Sequence, residues 1–237
     1  MATVRLEKYL ADAGTGTRSQ IKTIIKQGRV TVDDAVEKDG SRREDYASLR
    51  VCVDGEVLCH EAYVYYLLNK PAGVVSATKD ALSETVLALL KDVNTKGLCP
   101  VGRLDRDTEG LLLITNDGKL AHELLSPKKH VTKKYYVNLN RPLVEKDRTA
   151  IEAGIDIGDE KPCLPALVEA ADDSIPANAA PAYCVTITEG RYHQVKRMFA
   201  ACGYTVTYLK RISMGKLTLP DTLLPGSYMK IDRSMII

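Results

Sequence analysis

The sequence predicts an α+β protein in two parts, a small N-terminal unit over residues 1–58 and a larger one over 64–237, with a short linker at 59–63. Three observations carry this. The chain has 237 residues, enough for two ordinary domains with a real core. Charge is uneven along it: residues 1–29 hold six basic and two acidic side chains, whereas 30–58 hold four basic and eight acidic ones. Short segments of helical spacing also alternate throughout with strand-like runs punctuated by Gly and Pro.

Composition excludes several classes. Hydrophobic residues make up 45% and charged residues 27%, as in globular proteins. No charged n-region precedes an apolar h-region, and no apolar run approaches the ~18 residues that span a bilayer, so a cytoplasmic protein without membrane contact is expected. Cys52, Cys59, Cys99, Cys163, Cys184 and Cys202 form neither a Cys-x-x-Cys pair nor a Cys/His cluster. Neither a metal site nor a disulfide framework is indicated, and reduced thiols packed as small hydrophobes are expected. There is no Gly-x-Gly-x-x-Gly, Walker loop or Gly-x-Ser-x-Gly.

In chain order, Thr17-Arg18-Ser19-Gln20 reads as a capping box. The helix it opens puts Ile21, Ile24 and Ile25 on one face and Arg18, Lys22, Lys26 and Arg29 on another, with Gly28 as its stop. Val30–Val32 and Val51–Leu58 read as strands, the second turning at Asp54-Gly55. Two short helices, a basic second helix and a Val-Asp-Gly-Glu hairpin resemble the S4 RNA-binding domain over roughly residues 3–58. That resemblance implies phosphate contacts from Arg5, Arg18, Lys22, Lys26 and Arg29, which supply salt-dependent affinity with little base specificity.

Val64 begins an apolar strand that Pro71 breaks and Gly73 turns. Ser83 is expected to cap a helix carrying Val86, Leu87 and Leu90. Then comes Cys99 to Gly118, in which Gly102-Arg103-Leu104-Asp105 sets one carboxylate between Arg103 and Arg106, ahead of the apolar run Leu111–Ile114. In an extended segment Arg103 and Asp105 would share a face, and the arginine would keep the carboxylate ionised. Asn116-Asp117-Gly118 turns into a helix with Leu120, Leu124 and Leu125. Lys133–Leu139 reads as a strand with Tyr135 and Tyr136 on opposite faces, and Glu145–Gly154 as a helix ended by its glycine. Residues 172–182, with two prolines and no period, read as a loop. Ile187 to Gly203 reads as strand, glycine turn and helix, with Val195, Met198 and Phe199 inward and Lys196 and Arg197 outward; Thr205–Ile237 reads as strands around Pro220 and Pro225.

Three of these runs, Asn69-Lys70-Pro71-Ala72-Gly73, Gly102-Arg103-Leu104-Asp105 and Glu189-Gly-Arg-Tyr-His-Gln-Val-Lys-Arg-Met198, resemble in order the motifs of the pseudouridine synthases. The last is most similar to the branch named after RsuA, which modifies ribosomal RNA. The resemblance implies a mixed, largely antiparallel catalytic domain after the S4 domain, and it assigns catalysis to Asp105. Tyr135 is placed by it in the active site, stacked on the base, and Lys196 is paired with Asp105 to keep it ionised and aimed. Arg103 is assigned to the backbone of the flipped nucleotide, and Lys70, Arg106, Arg191 and Arg197 are further candidate RNA contacts. His60, His122, His130 and His193 are unclustered in sequence and receive no chemical role.

Making pseudouridine breaks the N1–C1′ bond and joins C5 to C1′. The sugar passes through an electron-poor state like that of glycoside cleavage, so a carboxylate near the sugar is required while neither metal nor cofactor is. Attack on carbon and removal of a sugar proton both remain open to Asp105. The resemblance implies a small-subunit ribosomal RNA substrate, met as an assembly intermediate, and a monomeric enzyme. Large-subunit RNA is the alternative, and an RNA-binding protein without activity the alternative of another class.

Overall fold

The computed structural model describes residues 3–58, 63–171 and 181–237, and the chain divides into two compact units, 1–63 and 64–237. Apart from Tyr63, the expected linker lies outside the described residues, as does the expected loop apart from Pro181 and Ala182. No helix among the described residues is long and apolar enough to cross a membrane.

In the first unit, β1 (Val4–Arg5) leads into α1 (Leu6–Asp12), followed by α2 (Arg18–Lys26), β2 (Val30–Val32), β3 (Ala35–Val36), β4 (Arg43–Glu44), β5 (Val51–Val53) and β6 (Glu56–Val57). The capping box forms: the Gln20 amide donates to the Thr17 hydroxyl, and the Thr17 amide to the Gln20 side chain at 2.8 Å. Two orphan donors at the start of α2 are thereby satisfied. Ile21, Ile24 and Ile25 pack with Leu6, Leu10, Val30 and Val51 against the sheet β3-β2-β5-β6. At the turn between β5 and β6, Asp54 and Gly55 both take positive φ, +54° and +83°, the geometry of a tight hairpin.

Among the described residues the second unit forms one mixed sheet of nine strands. These are β7 (Tyr65–Lys70), β8 (Cys99–Pro100), β9 (Glu109–Thr115), β10 (Lys133–Leu139), β11 (Leu167–Ala170), β12 (Ala182–Ile187), β13 (Val206–Met214), β14 (Leu217–Thr218) and β15 (Tyr228–Lys230). The main order is β11-β12-β10-β13-β9-β7-β15, with β14 on β13 and β8 on β9. Every pairing is antiparallel except β9 with β13. Three helices among the described residues cover it: α3 (Gly118–Leu125), α4 (Glu145–Gly154) and α5 (Gln194–Ala201).

Strand β9 is buried on both faces, which explains its unbroken apolar run. Leu112 and Ile114 join the core containing Leu68, Val137, Met198 and Phe199, while Leu111 and Leu113 join Leu67, Leu120, Met214 and Ile231 on the other face. Where β9 meets β13, Gly110 holds φ +100°, and a Cβ there would stand 2.2 Å from the Arg211 carbonyl. Only glycine allows the two backbones to meet at that point.

Two local expectations change. Residues 86–89 form a single 3-10 turn begun by Thr85 without a side-chain cap; Ser83 instead donates its amide to Asp80 at 2.8 Å, where the local bond competes with a helix start. Leu125, the last residue of α3, is exposed. Cys99 is exposed as well, while Cys52, Cys163 and Cys184 are buried.

Candidate active site

Asp105 sits in the loop between β8 and β9, and its backbone is held from behind by the segment after β7. The buried Lys70 ammonium donates to the carbonyls of Pro71 at 3.0 Å, Arg106 at 3.3 Å and Thr108 at 2.8 Å. The Gly73 amide donates to the Arg106 carbonyl at 2.7 Å, and Arg106 Nε returns a bond to the Gly73 carbonyl at 3.0 Å. Ser76 Oγ donates to the Leu104 carbonyl at 2.9 Å and accepts from the Leu104 amide at 3.0 Å. The Asn-Lys-Pro-x-Gly run thus serves as the rigid backing of the loop that carries the carboxylate.

This corrects one expectation, since Lys70 is fully buried and cannot reach a phosphate. Burial brings its pKa down to about 8, yet the three carbonyls supply the oxygen partners that a desolvated ammonium needs.

The Asp105 carboxylate is half-buried. Its Oδ2 stands 3.0 Å from Lys196 Nζ and its Oδ1 3.3 Å from His193 Nε2. Lys196 projects from α5 and reaches Asp107 Oδ1 at 2.6 Å. Burial works against the lysine charge, but Asp107 and Asp105 outweigh it and the Lys196 pKa is raised. Asp107 is correspondingly lowered, first by its hydrogen bond from Lys196. Arg103 is exposed and forms no ion pair with Asp105 among the described residues. The loop is not an extended strand, so the alternation that would have paired them does not apply; the cation on Asp105 comes from α5.

His193 is the residue that sequence reasoning missed. It holds the left-handed conformation, φ +49°, at the start of α5 and stacks on Tyr192 with ring centroids 3.8 Å apart. A non-glycine residue kept in that region beside a charged group points to a site. A signal was present in sequence: His193 precedes Lys196 by three positions, a spacing that sets both on one side of a helix start.

Asp105 lines both a cavity of about 130 Å³ and a groove of about 740 Å³, which also share Gly102, Arg103 and His193. Tyr135, Ile187, Val195 and Leu209 wall the cavity, Arg106 and Tyr192 border the groove, and Arg103 lines both. Tyr136 turns to the opposite face and meets Tyr208 edge-on, with centroids 6.1 Å apart.

The remaining cations divide. Arg191 is bound by Glu189 at 3.0 Å and by the carbonyls of Lys161 at 2.5 Å and Pro162 at 2.7 Å. Arg197 is bound by Asp159 and the Ile157 carbonyl, each at 2.6 Å. Both were expected at RNA; internal carboxylates and carbonyls of the loop at 157–162 occupy their donors, although Arg191, just before α5, also lines the cavity beside Asp105. Arg29 lies beyond the end of α2 and is held by Asp54, so it does not extend the helix row. Arg18, Lys22 and Lys26 are exposed along α2, and Arg5 is exposed in β1.

With this geometry in place, comparison with known proteins identifies the class. Residues 64–201 match the RNA pseudouridylate synthase family, and residues 4–43 match the S4 domain; the chain belongs to the RNA pseudouridylate synthases and is a pseudouridine synthase. Among individual relatives, an uncharacterized RNA pseudouridine synthase of Bacillus subtilis is 42% identical, over 96% of this chain and 95% of that protein. The ribosomal small subunit pseudouridine synthase A of Vibrio cholerae is 40% identical, over 95% of this chain and 94% of its own length. A crystal structure of a pseudouridylate synthase superposes with TM-score 0.67 at 36% identity and covers 98% of both chains.

Proposed function

We propose that this enzyme isomerises one uridine of small-subunit ribosomal RNA, with Asp105 as the catalytic residue acting on a flipped-out nucleotide. The observation that carries the reading is the Asp105 carboxylate, held 3.0 Å from Lys196 at the mouth of a cavity of about 130 Å³. A base seated inside leaves its sugar at the rim beside Asp105 and its phosphates in the outer groove.

Removing the target from its stack costs a few kcal/mol, which contacts to the flipped nucleotide must recover. In this reading Tyr135 stacks on the base, Arg103 and Arg106 hold the backbone in the groove, and Lys196 holds Asp105 aimed. Asp105 then serves the C1′ centre either as nucleophile or as the base that takes a neighbouring sugar proton. Residues 1–58 act as the RNA-binding domain through Arg5, Arg18, Lys22 and Lys26, and 64–237 as the catalytic domain. Small-subunit RNA is favoured because several of the similar proteins are named small-subunit enzymes.

The test incubates the protein with unmodified small- and large-subunit RNA, free and as assembly intermediates. Pseudouridine is mapped by carbodiimide-blocked primer extension, with Asp105→Asn as control. A new stop in small-subunit RNA that the variant does not make is the expected result. A stop only in large-subunit RNA overturns the substrate choice, and turnover by Asp105→Asn removes Asp105 from its role.

A further inference from the structure

Three buried side-chain atoms among the described residues lack a hydrogen-bond partner: Asn69 Oδ1, Thr108 Oγ1 and Arg211 Nη2. Two of these residues, Thr108 and Arg211, line the cavity beside Asp105. Arg211 is 3% exposed and Thr108 2%. Arg211 Nε donates to the Leu111 carbonyl at 2.8 Å, which fixes the plane of the guanidinium while its far nitrogen stays unsatisfied. The group forms no ion pair among the described residues. Close by, the buried Lys133 ammonium donates to the Val131 carbonyl at 2.9 Å and also lines the cavity. Burial lowers the Lys133 pKa, and the adjacent charge of Arg211 lowers it further.

Orphaned buried donors are rare in folded proteins, and a buried charge without a partner is costly. Both residues line one cavity, and Arg211 brings to it a buried guanidinium that no carboxylate neutralises among the described residues, which describes a site completed by its ligand. We propose that Arg211 is a substrate-recognition residue that donates to a carbonyl oxygen of the target uracil and stabilises the charge the ring acquires as its glycosidic bond opens. The proposal rests on the reading that the target uridine enters this cavity.

The chemistry fits both roles. Uracil presents carbonyls at C2 and C4 with an N3–H between them, and the Thr108 hydroxyl can accept that hydrogen. Cytosine carries an amino group at C4, where a guanidinium, a donor only, finds no acceptor. When the C1′–N1 bond breaks, its electron pair passes to N1 and is delocalised over the two carbonyl oxygens. C5 then bonds to C1′, the C5 proton leaves, and N1 ends protonated, so atoms and electrons balance. Fixed donors in a water-poor pocket act most strongly where charge develops, and losing one typically costs about 10²–10³ in rate.

The experiment uses the full chain and the uridine that the enzyme itself modifies, located by the same primer extension. That position is rebuilt in a ligated transcript as [5-³H]uridine, 2-thiouridine or 4-thiouridine, each carrying tritium at C5, and release of the label reports turnover. Sulfur is a poor acceptor, so one of the two thio positions is expected to slow the wild-type enzyme about 10²-fold. Arg211→Gln is expected to lose a similar factor on ordinary uridine, at RNA affinity within about twofold, and to lose most of its remaining sensitivity to sulfur. Such sharing of one penalty marks a direct contact, as in a double-mutant cycle. The proposal is overturned if neither thio position slows the wild type more than about threefold, or if the sulfur and variant penalties multiply. The wild-type comparison needs no variant; should Arg211→Gln not fold, Arg211→Lys, which keeps a donor, is expected to fall between the two. A wild type that modifies only large-subunit RNA overturns the substrate choice alone, and the comparison runs at that uridine. A wild type inert on both RNAs overturns the catalytic reading and this one with it.

Discussion

Lys196 Nζ stands 3.0 Å from Asp105 and 2.6 Å from Asp107, so one ammonium from α5 ties two carboxylates of the loop between β8 and β9. Lys196→Gln removes that tie. We expect kcat to fall at least tenfold at nearly unchanged RNA affinity, with Lys196→Arg recovering much of it. Stability should change by less than about 1 kcal/mol, since the pair is partly solvated. Single-turnover kinetics and thermal melts separate the two effects, and a kcat within threefold for Lys196→Gln would detach the lysine from Asp105 function.

The buried Lys70 yields a pH signature. Its folded pKa, about 8, lies below its ordinary value of 10.5. Between these values the unfolded chain binds more protons, so this group makes stability rise with pH through the window. Its charge is lost from the fold over the same window, loosening the bonds to Arg106 and Thr108 that shape the Asp105 loop. Activity is expected to decline above about pH 8 without any fall in melting temperature assignable to Lys70. Lys70→Met takes the donor from the buried Thr108 carbonyl, a loss worth about 1–3 kcal/mol, and should lower both melting temperature and kcat. A variant with wild-type melting and activity would refute the backing role.

Arg191 and Arg197 separate structure from RNA contact. Alanine at either position should lower the melting temperature by a few degrees, as Asp159 and the carbonyls of the 157–162 loop lose partners. The salt dependence of RNA binding should stay as it is. A flattened salt slope with unchanged melting would return these arginines to the RNA surface.

On α2, Lys22→Ala with Lys26→Ala should weaken RNA binding and reduce the salt slope by nearly two, about 0.9 for each phosphate that is no longer neutralised. Arg29→Ala should do less, because Asp54 already holds that guanidinium. An unchanged slope in the double variant would leave the helix face merely solvated.

Much of this fold could be read locally. The capping box at Thr17 and Gln20, the turn at Asp54-Gly55 and the strand with Tyr135 and Tyr136 on opposite faces depend on backbone propensities and side-chain periods acting over a few residues. The Ser83 helix failed for a related reason: an aspartate three residues earlier offered its amide a nearer partner.

The sequence by itself determined which chemistry-bearing side chains exist, where the strands and most helices fall, and the order of the motifs that mark the family. Tertiary structure alone decided their partners. It buried Lys70 behind the loop, turned Arg191 and Arg197 inward, brought His193 and Lys196 to Asp105, and set Arg211 against the cavity. The physical reason is that charge pairing and desolvation depend on distance in space. The parallel pairing of β9 with β13 and the packing of α5, which create those distances, join residues far apart in the chain.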